Sequence, residues 1–205
     1  KTVEENTFRE CKSLKTVGLP KSLKKIGLEA FMQSGLENIE FPASLRTVAQ
    51  AAFAKCKSLR TVKFNEGLEA LGADEYPPKD AGFKLYFGVF EESAVESVEL
   101  PSTLKRIEYS AFKNCKNLKS ITLPRRLEYI GKWCFYGSAL ESVVLPPVLK
   151  TVEENTFREC KSLETVGLPK SLEKIGLDAF MESGLENVEL PASLRTVAQA
   201  AFAKC

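Results

Sequence analysis

Leu100-Pro101-Ser102-Thr103-Leu104-Lys105-Arg106-Ile107-Glu108-Tyr109-Ser110-Ala111-Phe112-Lys113-Asn114-Cys115-Lys116-Asn117-Leu118-Lys119-Ser120-Ile121-Thr122-Leu123-Pro124 is one period of a pattern that fills the chain. Its skeleton is Leu-Pro-x-x-Leu-x-x-Ile-x-x-x-Ala-Phe-x-x-Cys-x-x-Leu-x-x-Ile-x-Leu-Pro. The phenylalanine slot measures the repeat. It recurs at Phe8, Phe31, Phe53, Phe90, Phe112, Phe135, Phe157, Phe180 and Phe202, with spacings of 23, 22, 37, 22, 23, 22, 23 and 22 residues. Such self-similarity is the mark of a stacked-repeat architecture.

The period is double. After Phe8, Phe53, Phe112, Phe157 and Phe202 the third residue is Cys; after Phe31, Phe90, Phe135 and Phe180 it is Ser, followed by Gly or Ala. Gly27, Gly72, Gly131 and Gly176 appear only in the Ser turns; Glu4, Ala49, Glu108, Glu153 and Ala198 replace them in the Cys turns. The unit is therefore two turns, 45 residues long.

Each turn carries two apolar segments, such as Leu14-x-x-Val17-x-Leu19-Pro20 and Leu23-x-x-Ile26-Gly27-x-x-Ala30-Phe31. The period-2 spacing of Val17 and Leu19 predicts a strand with one buried face. The following proline, which has no amide to donate, ends it. Asn65 is the one strand end without proline. The small residue that usually precedes the Phe, as at Ala30, Ala52, Ala111, Ala179 and Ala201, predicts a tight bend with the ring pointing inward, with at most a short helical turn, as over Glu29–Gln33. A unit this short buries its apolar face only by stacking, and identical turns give parallel strands.

The full pattern resembles the BspA-like, or treponemal-type, class of leucine-rich repeats. The resemblance covers the chain except one insertion. It implies an α/β leucine-rich repeat solenoid: a curved right-handed stack with a parallel β-sheet on one face and short strands or helical turns on the other. It also implies a cell-surface or secreted protein that binds proteins, host or extracellular-matrix partners among them, in adhesion, and no catalytic motif. An intracellular interaction scaffold using the same surface is the alternative.

Two features depart from regularity. The Phe53–Phe90 interval is 14 residues longer than 23, and the excess lies within Ala73–Val89. There, Tyr76-Pro77-Pro78 reads as an extended loop, and Phe83, Leu85 and Phe87 alternate like an added strand. Tyr76, Phe83, Tyr86 and Phe87 are candidate binding residues, because long loops on rigid scaffolds carry recognition. Their alternative is packing back on the flank. Second, residues 1–56 and 150–205 differ only at Lys15/Glu164, Lys24/Glu173, Glu29/Asp178, Gln33/Glu182, Ile39/Val188 and Phe41/Leu190. A duplicated 149-residue block in a longer array accounts for this. The chain is then expected to be a single domain of about nine turns, part of a longer protein. Residues near Lys57-Ser58-Leu59-Arg60 should recur after Cys205. Uncapped terminal turns predict end-to-end self-association.

Outward sheet residues form the other candidate surface: Thr16, Asn38, Glu40, Thr61, Lys63, Ser97, Glu99, Ser120 and Thr122. Gly18, Ser142/Val144, Thr165/Gly167 and Asn187/Glu189 continue it. Most are small and polar. The residues just before them alternate in charge as Lys15, Glu37, Arg60, Glu96, Lys119 and Glu141, then become acidic at Glu164 and Glu186.

Composition excludes other classes. Net charge is +2, from 29 basic and 27 acidic residues, which gives no pull towards nucleic acid. No apolar run approaches the ~20 residues of a bilayer span, so no membrane insertion is expected. The chain has no histidine, no Cys-x-x-Cys and no phosphate-cradling loop. No cofactor or metal is expected. Cysteines of the Cys turns lie two turns apart, ~10 Å from strand spacing, too far for a disulfide; buried free thiols are expected. Glu4-Glu5, Glu91-Glu92 and Glu153-Glu154 read as solvated pairs, and Trp133 as core or turn packing.

Overall fold

The computed structural model describes residues 1–72 and 87–205. Every regular element is a short strand, and all paired strands are parallel. One ladder comes from the Leu-x-x-Ile segments. It joins β1 (Thr2–Val3), β2 (Lys25–Ile26), β4 (Thr47–Val48), β6 (Ala70–Leu71), β8 (Arg106–Ile107) and β9 (Tyr129–Ile130), and resumes as β11 (Thr151–Val152), β13 (Lys174–Ile175) and β14 (Thr196–Val197). The second ladder comes from the strands before proline. It pairs β3 (Asn38–Phe41), β5 (Thr61–Phe64) and β7 (Ser97–Glu99), then β10 (Ser142–Val144) with β12 (Thr165–Gly167). Ser120–Leu123 lies between these pieces without a strand, yet Ile121 and Leu123 are still buried.

Parallel alternation sets what is inside. Along β3 and β5 the pattern is exposed, buried, exposed, buried: Ile39 and Phe41 face in with Val62 and Phe64. The leucine and isoleucine of each first-ladder segment are buried too, for example Leu104 and Ile107.

The third side of each turn is the Ala-Phe corner, and here the expected helical turn is wrong. Among the described residues there is no helix, so the architecture is a parallel β-solenoid rather than α/β. The reason is where the amides go. A helix would spend each N–H on a carbonyl four residues back in its own segment. Here Phe8 N donates to Ala30 O (2.7 Å), Phe31 N to Ala52 O (2.8 Å), and every later Phe but the last likewise to the next turn. The residues two before and two after each Phe, Gly88 before Phe90 excepted, make this possible by taking left-handed φ. Glu29 and Gln33 stand at 53° and 57°, Ser110 and Asn114 at 54° and 56°. For a non-glycine residue this conformation costs roughly 1–2 kcal/mol, offset by hydrogen bonding between turns. Asn6, Asn114, Asn155 and Asp178 are types that tolerate it.

The rings stack in one column. Successive Phe rings from Phe8 to Phe202 lie 4.9–5.5 Å apart with interplanar angles of 3–19°. The column does not notice the long interval. Phe53 stacks on Phe90 at 5.5 Å, Phe53 N donates to Val89 O at 2.8 Å, and Leu71 pairs with Ile107. Tyr76, Phe83 and Tyr86 lie outside the described residues. Phe87 lies within them, packed against the Met32, Ala51 and Ala54 cluster with Lys55 Nζ 4.1 Å from its ring centre.

The double period also has a physical basis. In four of the five Cys turns the thiol donates to the Phe carbonyl of the preceding Ser turn: Cys56 to Phe31 O (3.1 Å), Cys115 to Phe90 O (3.2 Å), Cys160 to Phe135 O (3.0 Å) and Cys205 to Phe180 O (3.2 Å). The serine of that preceding turn reaches the same sulfur: Ser34–Cys56 3.5 Å, Ser93–Cys115 3.7 Å, Ser138–Cys160 3.4 Å and Ser183–Cys205 3.3 Å. Cys and Ser alternate because each pair is one polar unit in an apolar column. Glycine alternates for close approach. A Cβ on Gly131 would lie 2.7 Å from the Glu108 carbonyl carbon and the Tyr109 amide.

Candidate functional site

The outward residues of the second ladder assemble as a surface. Asn38, Thr61 and Ser97 are register partners, as are Glu40, Lys63 and Glu99, and all six are exposed. Thr16, Ser120 and Thr122 are exposed in the equivalent places, although neither of their segments forms a strand. Thr61 Oγ1 donates to Asn38 Oδ1 at 2.5 Å. Lys63 lies 3.2 Å from Glu40, and Asn65 Nδ2 donates to the same Glu40 oxygen at 3.2 Å. The Asn65 hydrogen bond first, then Lys63, holds the Glu40 carboxyl below its ordinary range.

The charges before each strand pair along the stack as their alternation predicts: Lys15–Glu37 3.3 Å, Arg60–Glu96 3.3 Å and Lys119–Glu141 3.1 Å. All are exposed, so each contributes under ~1 kcal/mol. Above the strands lie four abutting concavities. The first, about 450 Å³, runs from Thr16 to Glu99. The next, about 550 Å³, runs from Glu96 to Pro124. A third of about 790 Å³ spans Ser120 to Lys170, and a fourth of about 610 Å³ spans Thr165 to Ser193. Consecutive concavities share lining residues, so the face is one shallow trough.

Its floor changes character along the stack. The first half is polar and charged. In the second half Val144, 76% exposed, occupies the slot held by Glu40, Lys63 and Glu99 in earlier turns. Its register partner is Gly167. The sequence places Val144 in the outward row; its openness depends on Gly167 lying opposite, which pairing alone reveals.

Chemistry elsewhere is structural. Burial pushes the Cys115 thiol up to about 12 and the Cys160 thiol up to about 11, so both stay protonated and weakly nucleophilic. Cys56 and Cys134 are buried with raised thiols as well, but Cys11 and Cys205 are exposed, against the expectation of uniformly buried thiols. Glu91 corrects the reading of Glu91-Glu92 as a solvated pair. The residue is 3% exposed, and its carboxylate accepts from Gly88 N at 2.8 Å and pairs with Lys113 Nζ at 2.9 Å. Trp133 packs at the turn, 5.1 Å from the Tyr136 ring, at φ 62°. No cluster of three metal-ligating side chains occurs among the described residues.

Known proteins share this architecture. A leucine-rich repeat protein from Bacteroides ovatus superposes with a TM-score of 0.62 at 23% identity, covering all of this chain and 68% of the other. A leucine-rich cell surface protein from Faecalibacterium prausnitzii gives 0.58 at 27% identity, with all of this chain matching 55% of that one. The leucine-rich repeat protein of T. pallidum gives 0.53 at 24% identity over 71% of this chain and 76% of its own. No curated protein sequence matches significantly. The description of the BspA type leucine-rich repeat region fits residues 1–76 and 84–205 in six copies, and the chain belongs to that family.

Proposed function

We propose that the chain is a non-catalytic protein-binding module of a cell-surface or secreted protein, and that it binds through the second-ladder face. The observation that carries this is the register of Asn38, Thr61 and Ser97 beside Glu40, Lys63 and Glu99, on an exposed trough continuous over successive turns. Small polar side chains on a rigid ladder present hydrogen-bonding groups at fixed spacing without covering them. The surface lacks the Trp, Tyr and Arg clusters of single high-affinity sites. Repeated weak contacts from many turns give adhesion by avidity instead. The resemblance to a leucine-rich cell surface protein at 27% identity supports the location.

The test is adhesion of chain-coated beads to immobilised extracellular-matrix proteins. Replacing Asn38, Thr61 and Ser97 together by Arg should abolish adhesion and leave the melting temperature unchanged. Undiminished adhesion by that variant removes the face from the account. An intracellular scaffold using the same face is the second reading, favoured by six cysteines that are all free. A membrane-impermeant label applied to intact cells separates the two: labelling of the parent protein supports the surface location, and protection supports the scaffold.

A further inference from the structure

Trp133 stands where the fold least favours it. It lies two residues before Phe135 at φ 62°, a left-handed conformation that is an outlier for a bulky side chain. Other turns put small or tolerant residues there, such as Asn6, Ala51, Ser110, Asn155 and Asp178, with Glu29 the largest. Strain of this kind concentrates at functional sites. Core packing does not account for the indole, which is only half-buried and whose N–H has no hydrogen-bond partner among the described residues.

Other aromatic side chains gather beside it. Trp133 and the three described tyrosines, Tyr109, Tyr129 and Tyr136, all fall in two adjacent turns. The Trp133 and Tyr136 rings lie 5.1 Å apart at 42°. Tyr109 is 44% exposed, and Ser110 N donates to Lys132 O at 3.1 Å, which brings the Tyr109 backbone alongside the residue before Trp133. These turns belong to the part of the chain that occurs once, whereas residues 1–56 recur as 150–205.

The charges around the rings select the ligand. Lys113 Nζ lies 5.9 Å from the Trp133 ring centre and 6.0 Å from that of Tyr136, and it is paired with Glu91 at 2.9 Å. Arg106 sits over the Tyr129 ring at 4.1 Å and is paired with Glu108 at 2.8 Å. Lys132 is paired with Glu154 at 3.0 Å. These cations are neutralised, so an anion gains little here. They already hold the cation positions at the rings, so a cationic ligand meets like charge. The backbone beneath is spent between turns, Trp133 N on Glu154 O at 3.1 Å and Phe135 N on Thr156 O at 2.9 Å, so a peptide finds no free strand edge to extend. What stays free is the indole N–H, the Tyr109 and Tyr129 hydroxyls, and the Glu153 carboxylate, close enough to act on Tyr129 and Lys132. A neutral pyranose matches this set. Its C–H face stacks on an apolar ring, and its hydroxyls accept from the N–H and donate to the carboxylate.

We infer that Trp133 and Tyr136, with Tyr109 and Tyr129 beside them, form a platform for a neutral glycan. It is separate from the second-ladder trough and holds whether or not the trough binds protein.

Trp133 is the only tryptophan in the chain, so its fluorescence reads this site alone. The full chain is titrated with tetrasaccharides of glucose, N-acetylglucosamine, galactose, mannose and xylose, with a heparin tetrasaccharide as the anionic probe and a collagen peptide as the protein probe. At least one neutral tetrasaccharide should change the emission saturably, and the heparin fragment should not. Tyr136→Ala should raise the dissociation constant by about tenfold or more, the effect of losing a ring at the centre of a site. Trp133→Asn, which suits a left-handed φ, should keep the melting temperature and abolish binding read by calorimetry. Val144→Glu in the trough should leave binding unchanged. Circular dichroism confirms folding, and either platform variant alone decides the question. No response to any neutral tetrasaccharide overturns the proposal. So does a response confined to heparin or the collagen peptide, or glycan binding that Trp133→Asn or Tyr136→Ala retains in full.

Discussion

Cys115→Ala cuts the Ser–Cys ladder at its centre. The mutation removes a fully buried sulfur, a thiol donor 3.2 Å from Phe90 O, and the sulfur facing the Ser93 hydroxyl at 3.7 Å. Losing a methyl-sized buried group costs about 0.8 kcal/mol. A weak hydrogen bond adds about 0.5 kcal/mol, and a hydroxyl left in a dry site about 1 kcal/mol more. Cys115→Ala should therefore destabilise by roughly 2–3 kcal/mol in chemical denaturation. Ser93→Ala alone should cost about 1 kcal/mol, and the double mutant should cost less than the two separately, because one hydroxyl and one sulfur serve each other. Cys11, which is exposed and has no serine partner among the described residues, is the control; Cys11→Ala should stay within about 0.5 kcal/mol. Additive losses at Ser93 and Cys115, or an equal cost at Cys11, would refute the pairing as the cause of the double period.

Glu91→Ala strands Lys113 beside a dry site and frees Gly88 N; a loss of about 3–5 kcal/mol is expected in the same assay. Excising Ala73–Tyr86 returns the Phe53–Phe90 spacing to 23 residues, and because Phe53 already stacks on Phe90, thermal melting should change by less than the equivalent of about 1 kcal/mol. Gln33→Gly should stabilise by up to about 1 kcal/mol and Gln33→Val should destabilise, since φ there is 57°. Alkali should unfold the chain. Burial pushes the Cys115 thiol up to about 12 and the Cys160 thiol up to about 11, whereas a solvent-exposed thiol titrates near 9.0, so the unfolded state loses protons first. Melting temperature should be flat below pH 9, fall between pH 9 and 12, and fall less steeply in Cys115→Ala.

What the sequence revealed follows from what a one-dimensional pattern encodes. Inward positions at periods of two and three, and the phenylalanine column, are fixed by side-chain type, so Ile39, Phe41 and Phe112 could be placed inside before any coordinates. The Asn38, Thr61 and Ser97 row follows from the same alternation. The corner was misread because its sequence, as in Glu29-Ala30-Phe31-Met32-Gln33, suits a helix; the hydrogen-bond demand of the next turn overrides that preference and forces left-handed φ on Glu29 and Gln33. The alternation of Cys with Ser was visible, but its partners lie 22 residues apart and only stacking shows that they touch. Glu91 was read as solvated because an acidic pair signals surface; its burial depends on Lys113 in the next turn. Val144 stood in the outward row, yet its exposure depends on the glycine that register sets beside it.

An arginine scan of outward positions around all sides of the solenoid, read for adhesion and for melting temperature, tests the functional account most directly. Losses of adhesion at constant melting temperature should fall on Asn38, Thr61, Ser97, Ser120 and Thr122, with none at Glu69 or Glu128 on the first ladder or at Gln33 on the corner. Adhesion lost only at Glu69, Glu128 or Gln33, with the second-ladder positions silent, would contradict it.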